Sequence, residues 1–261
     1  MADNGGQESS VDDRRREILA RLAREGKVRV MDLSRLFGIS EVTVRNDLTE
    51  LEAEGMLKRV HGGAVSTQKA YFNMTLGDRM KVNEAEKRAI AAAAARIVRD
   101  GATLIVSSGT TPLYALRELG NVRNLTVITN SVPVAHEAGF CANMQVILLG
   151  GTFDSHSQIT YGDDTVNQLR RYKADLLLLS ADGFSAEDGI TTHLLFDAEV
   201  NRQMISRANR TIALADHSKI GRTGFVSIGE IELVDCLVTN RAAGGEAIAA
   251  IGDRGVEVVL V

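Results

Sequence analysis

The sequence predicts two domains of different class: a small winged helix-turn-helix domain at the amino end, and a larger α/β domain with a mostly parallel sheet. Three observations predict this. Near the start, three helix-length segments are punctuated by glycines, with a tight Gly38-Ile39-Ser40 turn between the second and third. The basic segment "LKRVHGGAV" then brings Lys58, Arg59 and His61 up to a Gly62-Gly63 turn, as a two-stranded wing would. From about residue 84 onward, apolar runs of strand length end in small polar residues and alternate with helix-length segments. That pattern belongs to a parallel sheet covered on both faces.

Residues 1–12 are rich in Gly, Ser, Asp and Gln and show no apolar period, so a disordered tail is expected there. The winged domain then occupies 13–66. Its first helix shows a face at Ile18, Leu19 and Leu22 and stops at Gly26. The second carries Val30, Leu33, Leu36 and Phe37 and stops at Gly38, whose missing Cβ suits a left-handed cap. Ser40 is the expected N-cap of the third helix, where Val44, Leu48 and Leu51 form the core stripe and Gly55 ends the run. The other face shows Glu41, Thr43, Arg45, Asn46 and Thr49, side chains able to reach base edges and phosphates from a major groove. With Ser40 at the turn and Lys58, Arg59 and His61 in the wing, these are the candidate DNA contacts. A three-helix interaction module with a solvated polar face is the plain alternative. The turn, the capped helix and the basic wing coincide within one short segment, and that favours DNA.

Residues 67–83 have no sustained period and read as a linker, with Tyr71, Phe72 and Met74 expected to dock onto a domain. The α/β domain spans 84–261 and opens with an alanine-rich helix from about Glu84 to Arg99, read as packing without chemistry. Six strand runs follow: "TLIVSSGTT", "LTVITNS", "QVILLGG", "LLLLSADG", "TIALADHSK" and "CLVTN". Between most of them lie helix-length segments, at Pro112 to Leu119, Pro133 to Phe140, Asp163 to Arg170, Asp197 to Ala208 and Gly245 to Arg254. Strands that stay oily until polar carboxyl ends place those ends along one edge, where open α/β sheets bind ligands.

Ser107, Ser108, Gly109, Thr110 and Thr111 are the expected anion cradle, with Thr111 capping a helix that Pro112 begins. Asn130, Ser131, Gly150, Gly151, Asp182 and Gly183 occupy equivalent strand ends and are candidates for hydroxyl contacts. In "ADHSKIG", Asp216 and Lys219 form either a local ion pair on a loop or a site in which Lys219 neutralises a phosphate while Asp216 orders that lysine or a sugar hydroxyl. His136, His156, His193 and His217 have no metal-like spacing and read as surface residues. The helix dipole suffices to explain Glu199. No metal or other cofactor is expected.

Composition is that of a globular chain, 44% hydrophobic and 25% charged, with no apolar stretch approaching the roughly 18 residues of a membrane span. The polar, acidic start "MADNGGQESSVDD" is unlike a secretory signal, and the expected location is cytoplasmic. Cys141 and Cys236 read as core residues. Net charge is −4, yet residues 14–65 hold eleven Lys and Arg against eight Asp and Glu. The positive end is therefore where a DNA footprint belongs.

The stretch "ISEVTVRNDLTELEAEGMLKRVHGGA" resembles the amino-terminal signature of the DeoR family of bacterial transcription regulators, "VSxxTIRRDLxxLxxxGxLxRxHGGA". Asn46 stands where the family usually has a second arginine. Asn suits adenine better than phosphate, so base preference there is expected to differ. Residues of about 84–240 resemble the family's sensor domain through "SGTT", "TNS", "GG", "ADG", "DGITT", "EV" and "ADHSKIG". The resemblance implies a sensor related in fold to ribose-5-phosphate isomerase. It implies a regulator, usually a repressor of a carbohydrate operon, released from double-stranded operator DNA by a phosphorylated sugar. Two half-sites about 34 Å apart call for paired heads, hence a homodimer or homotetramer. An isomerase-like enzyme with an appended DNA-binding head is the alternative, since Asp182, Asp216 and Lys219 can supply a base and an electrophile. A DNA-reading head makes occupancy rather than turnover the useful output, so no enzyme activity is expected.

Overall fold

The computed structural model describes residues 5–53, 56–66 and 74–261. The chain divides into two compact units, Met1–Asn83 and Glu84–Val261.

In the first unit, α1 (Gly5–Glu25), β1 (Lys27–Arg29), α2 (Val30–Phe37) and α3 (Glu41–Ala53) precede the hairpin of β2 (Leu57–Val60) and β3 (Gly63–Ser66). The wing is a three-stranded antiparallel sheet in the order β1-β3-β2. The extra strand, three residues wedged between two helices, is too short to show a period. Ile18, Leu22, Val30, Leu33, Val44, Leu48 and Leu51 meet Val28, Leu57 and Ala64 of the wing in one core. Gly26 (φ 71) and Gly38 (φ 64) end their helices in the left-handed region, as read from the sequence. Leu36 departs from expectation and is exposed, because Phe37 takes the core-facing position one turn beyond Leu33.

The expected disordered tail is corrected over residues 5–12, which are helical. Once a helix is nucleated and held by packing further along, polar residues extend it at little cost, and apolar periodicity is blind to that. Residues 1–4 lie outside the described residues, as do Gly55, Tyr71 and Phe72. Met74 is buried, and the linker holds a short helix, α4 (Leu76–Lys81), capped by Thr75, whose hydroxyl accepts from the Asp78 N–H at 3.2 Å.

The second unit opens with α5 (Glu84–Ala95), one turn shorter than the sequence suggests. Its main sheet contains β4 (Thr103–Val106), β5 (Leu125–Thr129), β6 (Met144–Leu148), β9 (Ala174–Leu179), β12 (Ala208–Leu214), β14 (Cys236–Thr239) and β15 (Glu257–Leu260). All pairs are parallel, in the order β15-β14-β12-β9-β4-β5-β6. The helices α6 (Thr110–Glu118), α7 (Val132–Gly139), α8 (Asp163–Leu169), α9 (Leu195–Ser206) and α10 (Gly245–Asp253) lie between strands. Ile105, Leu177, Leu179 and Ala213 pack with Val166 and Leu169 of α8 and Ala198 and Met204 of α9. The alternate residues Leu104, Val106, Leu178 and Ile212 are also buried and face the other way, where α5 packs on β12 and β14. Double-sided burial is why these strands read as continuous apolar runs.

Two smaller sheets stand off this frame: the hairpin of β7 (Thr152–Asp154) and β8 (Ile159–Tyr161), and the antiparallel trio β10 (Gly183–Ser185), β11 (Gly189–Thr192) and β13 (Val226–Gly229). Burial pushes the Cys236 thiol up to about 11, so it stays protonated and inert at neutral pH. No helix among the described residues is long and apolar enough to cross a membrane.

The strand order locates a crevice. From β4 the chain builds outward through β5 to β6, returns to pair β9 on the other side of β4, then builds the opposite way through β12, β14 and β15. The reversal therefore falls between β4 and β9. Ligands of open α/β sheets lodge outside the carboxyl ends at such a reversal, because the connections diverge there and leave a gap.

Candidate functional site

In the first unit, Ser40 is the cap of α3. Its hydroxyl accepts from the Thr43 N–H at 3.1 Å and lies 2.8 Å from the Thr43 hydroxyl, so both side chains are engaged at the helix start. The exposed stripe is Val42, Arg45, Asn46 and Thr49, spaced i, i+3, i+4, i+7. Val42, 63% exposed, is a candidate contact missed in the sequence; its apolar side chain out of phase with Val44, Leu48 and Leu51 was the available signal. An apolar side chain there suits a thymine methyl. Arg45 pairs with Glu41 at 2.6 Å, an exposed pair whose partner a phosphate can replace at little cost. Arg59 is fastened to the same helix: its Nη1 donates to the Thr49 hydroxyl at 2.6 Å, and its N–H donates to Glu52 at 2.8 Å. Lys58 and His61 are exposed on the wing.

Asp47 also escaped the sequence reading. It lies in phase with Val44 and Leu51, is 3% exposed, and accepts from Arg14 at 2.7 and 3.1 Å and from Arg15 at 3.3 Å. Two α1 arginines thereby fix how α3 is rotated.

In the second unit, the helix after β4 starts two residues earlier than expected. Gly109 (φ 131, ψ 161) holds the cap position and Thr110 is the first helical residue, so Pro112 is third and Thr111 caps nothing. The cap conformation is one that only glycine adopts readily, and it sets the boundary. The N–H groups of Thr110 and Thr111 have no intrahelical acceptor, and the helix dipole adds to their pull on an anion. Ser107 is fully buried, and its hydroxyl accepts from the Ser180 N–H at 2.9 Å, pinning the end of β4 to that of β9.

Several other candidates are held by their neighbours. Asn130 donates to the Thr160 carbonyl at 2.8 Å, while its buried Oδ1 has no partner. The Ser131 hydroxyl caps α7. The Gly150 carbonyl accepts from Thr165, and a Cβ on Gly151 would sit 2.2 Å from the Thr165 hydroxyl oxygen. A Cβ on Gly183 would sit 2.2 Å from the Arg222 carbonyl oxygen. These glycines permit close backbone packing.

Asp182 and Lys219 meet on the β9 side of the crevice, beyond the carboxyl ends of β9 and β12. Lys219 Nζ lies 3.5 Å from Asp182 Oδ1, and Asp182 Oδ2 accepts from the Thr192 hydroxyl and the His193 N–H, both at 3.1 Å. Burial pushes the Asp182 carboxyl up, but Lys219, His193 and these hydrogen bonds outweigh it and hold it below the usual aspartate value. Asp216 is 3% exposed and accepts from the Ser218 N–H at 3.0 Å and from its hydroxyl. Burial raises Asp216 too, and the Ser218 hydroxyl with the charges of Lys87 and Lys219 more than offsets it. Both aspartates are thus carboxylates at neutral pH. His193 lies 3.6 Å from Asp182 and His217 lies 2.7 Å from Glu86, so both are half-buried members of this cluster, a correction to their reading as surface residues.

Lys87 and Glu86 were missed entirely. Lys87 is 1% exposed, in phase with Ile90, Ala91 and Ala94 of α5. A lysine on the core stripe of an alanine-rich helix was the signal, since an ammonium is not buried without an anion to meet it. A separate cleft of about 490 Å³ at the amino-end edge of the sheet, lined in part by Arg96, Arg99, Asp175 and Arg210, contains none of the sequence-predicted site residues.

Comparison with known proteins bears on both units. Residues 14–70 match the DeoR-like helix-turn-helix domain, and residues 82–241 match the DeoR C terminal sensor domain. A putative aga operon transcriptional repressor of Escherichia coli O157:H7 is 32% identical over 97% of this chain and 95% of its own length. The HTH-type transcriptional regulator GolR of Listeria innocua serovar 6a is 35% identical over 94% and 97%. Ribose 5-phosphate isomerase A of Methanocaldococcus jannaschii covers 52% of this chain and 54% of its own, with 20% identity and a TM-score of 0.39, a likeness too slight to bear on the site. With both domains matched in order and relatives aligned over nearly their whole length, this chain belongs to the DeoR family of transcriptional regulators.

Proposed function

We propose that the protein is a repressor of a carbohydrate-catabolic operon, released from its operator when a phosphorylated sugar occupies the crevice between β4 and β9. The observation that carries this reading is the convergence, at the reversal of strand order, of a glycine-capped helix start from one side and the Asp182–Lys219 pair from the other. The phosphate is received by the N–H groups of Thr110 and Thr111 with Ser108 and by the Lys219 ammonium, and the sugar hydroxyls by Asp182, Asp216 and the unpartnered Oδ1 of Asn130. Asn46 and Val42 read bases, while Arg45, Lys58, Arg59 and His61 hold the backbone. The heads act in pairs on a homodimer or homotetramer, and the output is occupancy rather than turnover.

The test is a thermal-shift screen of the full chain against pentose and hexose phosphates. A binder at a hundredfold its Kd raises stability by about 2.7 kcal/mol. If no phosphorylated sugar shifts the melting curve, the reading fails. Gly109→Val separates the two functions: its Cβ would stand 3.0 Å from Ser180 Cβ and 3.4 Å from Pro112 Cδ, at a φ that β-branched residues avoid. The variant is expected to bind promoter DNA and to ignore the sugar phosphate, and normal release would reject the cradle. Arg45→Ala is expected to do the converse, weakening DNA binding about tenfold or more and lowering the salt slope by about one, with sugar-phosphate binding intact. Loss of both activities would mean that Arg45 supports folding.

A further inference from the structure

The first turn of α5 is tied to two walls of the crevice and is also the segment that follows directly on the DNA-binding unit in the chain. On one side, Glu86 Oε2 lies 2.7 Å from His217 Nδ1, and the ligating atoms of Glu86, His217 and Asp216 all fall within 4.8 Å of one another. His217 and Asp216 begin the short helical turn that ends at Lys219. On the other side, the Arg88 guanidinium stands 4.7 Å over the ring of Tyr114, the Tyr114 hydroxyl donates to Glu84, and Glu84 also accepts from Arg88 at 2.8 and 2.9 Å. Tyr114 belongs to α6, whose amino end is the cradle.

We propose that this turn is the relay of the switch: Glu86 through His217, and Glu84 with Arg88 through Tyr114, sense the two walls of the occupied crevice and pass their displacement into the segment joining the units. The inference rests on the crevice being the effector site. Its physical basis is an exchange of partners. An arriving phosphate dianion competes with Asp182 and Asp216 for Lys219. Asp216 then relies on Lys87, which sits beside Glu86, and the backbone of Asp216 and His217 follows. His217 cannot move without Glu86, because their bond is the short one. A ligand shifts an equilibrium only by contacting the two arrangements unequally, and here the unequal contact is the Lys219 pairing itself. Glu86 and His217 are positioning residues in this scheme, half-buried and without contact to the sugar phosphate.

The experiment uses the full chain with Glu86→Gln, His217→Gln and, for the second tie, Tyr114→Phe. Each is screened by thermal shift against aldose and ketose 5- and 6-phosphates and the 1,6-bisphosphates, and then followed by amide hydrogen exchange over residues 76–81, in the first unit. In the parent, a sugar phosphate that raises the melting temperature is expected to change exchange at 76–81 by about fivefold or more. In Glu86→Gln and His217→Gln the thermal shift is expected to remain while that change falls below about twofold, with Tyr114→Phe intermediate. Full transmission in the variants, or a parent that binds without any change at 76–81, overturns the relay alone. Loss of the thermal shift in the Glu86 and His217 variants makes these residues ligand contacts and also overturns it. If no compound in the panel shifts the parent, the effector reading falls first and the relay with it.

Discussion

Asp47→Asn is expected to destabilise the first unit by about 3 kcal/mol and to weaken promoter binding with it. The carboxylate is 4% exposed and faces two guanidinium groups whose side chains are 15% and 21% exposed. Removing one partner of a buried ionic cluster costs about 3–5 kcal/mol, because the remaining charges stay desolvated. The lower end applies here, since Arg15 also reaches Glu50, and burial, which alone would lower the Arg15 guanidinium, is outweighed by Glu50 and Asp47. Asn keeps the shape, so the loss measured is the charge. DNA binding suffers because the clamp sets the rotation of α3, and a helix turned by one side chain presents a different stripe than Val42, Arg45, Asn46 and Thr49. Melting of the full chain followed by amide exchange in α1 and α3 separates this unit from the other. A change within about 0.5 kcal/mol, the range of ordinary surface substitutions, would mean that solvent rather than Asp47 stabilises the arginines.

Asp47 and Lys87 mark where sequence reasoning stops. The elements whose signal is periodic or punctuated were legible: the stripe of Val44, Leu48 and Leu51, the caps at Gly38 and Ser40, and the apolar strand runs from Thr103 to Thr239. Those signals are local, and local physics produces them. Asp47 and Lys87 instead owe their burial to partners distant in the chain, Arg14 and Asp216, and a single charged residue on a core stripe looks like a lapse in the pattern until its partner is in view. The Gly109 boundary was missed for a related reason: proline at the first helical position is a sound prior, but the backbone at the end of β4 demands φ 131 at Gly109, and the helix begins from there. β1 was invisible because three residues between two helices carry no periodicity, whereas β15, four residues long like β4 and β14, carries the same kind of apolar run and was simply missed. The position of the crevice was only half legible. Polar strand ends implied an edge, whereas the reversal between β4 and β9 is a property of strand order that no local pattern encodes.

Gly63→Ala is expected to disrupt the wing more than any change to its charged residues. The added Cβ would lie 1.9 Å from the Val28 carbonyl oxygen, 3.0 Å from its carbon and 3.1 Å from Arg29 Cα. These are backbone atoms, so no rotamer change relieves the overlap, and β1 must leave β3. The ladder pairing Lys27 with Val65, Val28 with Ala64 and Arg29 with Gly63 is then lost. Val28 and Ala64 are both part of the unit's core, so the displacement also opens packing beneath the hairpin. Overpacking of this kind costs about 1–3 kcal/mol or somewhat more. The functional effect exceeds the thermodynamic one, because Lys58, Arg59 and His61 ride on a hairpin that has lost its third strand. Promoter affinity is therefore expected to fall further than in Lys58→Ala, and the salt slope to drop by more than the single charge contact that variant removes. Gly62→Ala is the control: no atom lies within 4 Å of its Cβ, so only the strain of φ 79 remains. If Gly63→Ala and Gly62→Ala bind promoter DNA alike, β1 is dispensable to the wing and the three-stranded sheet has no part in recognition.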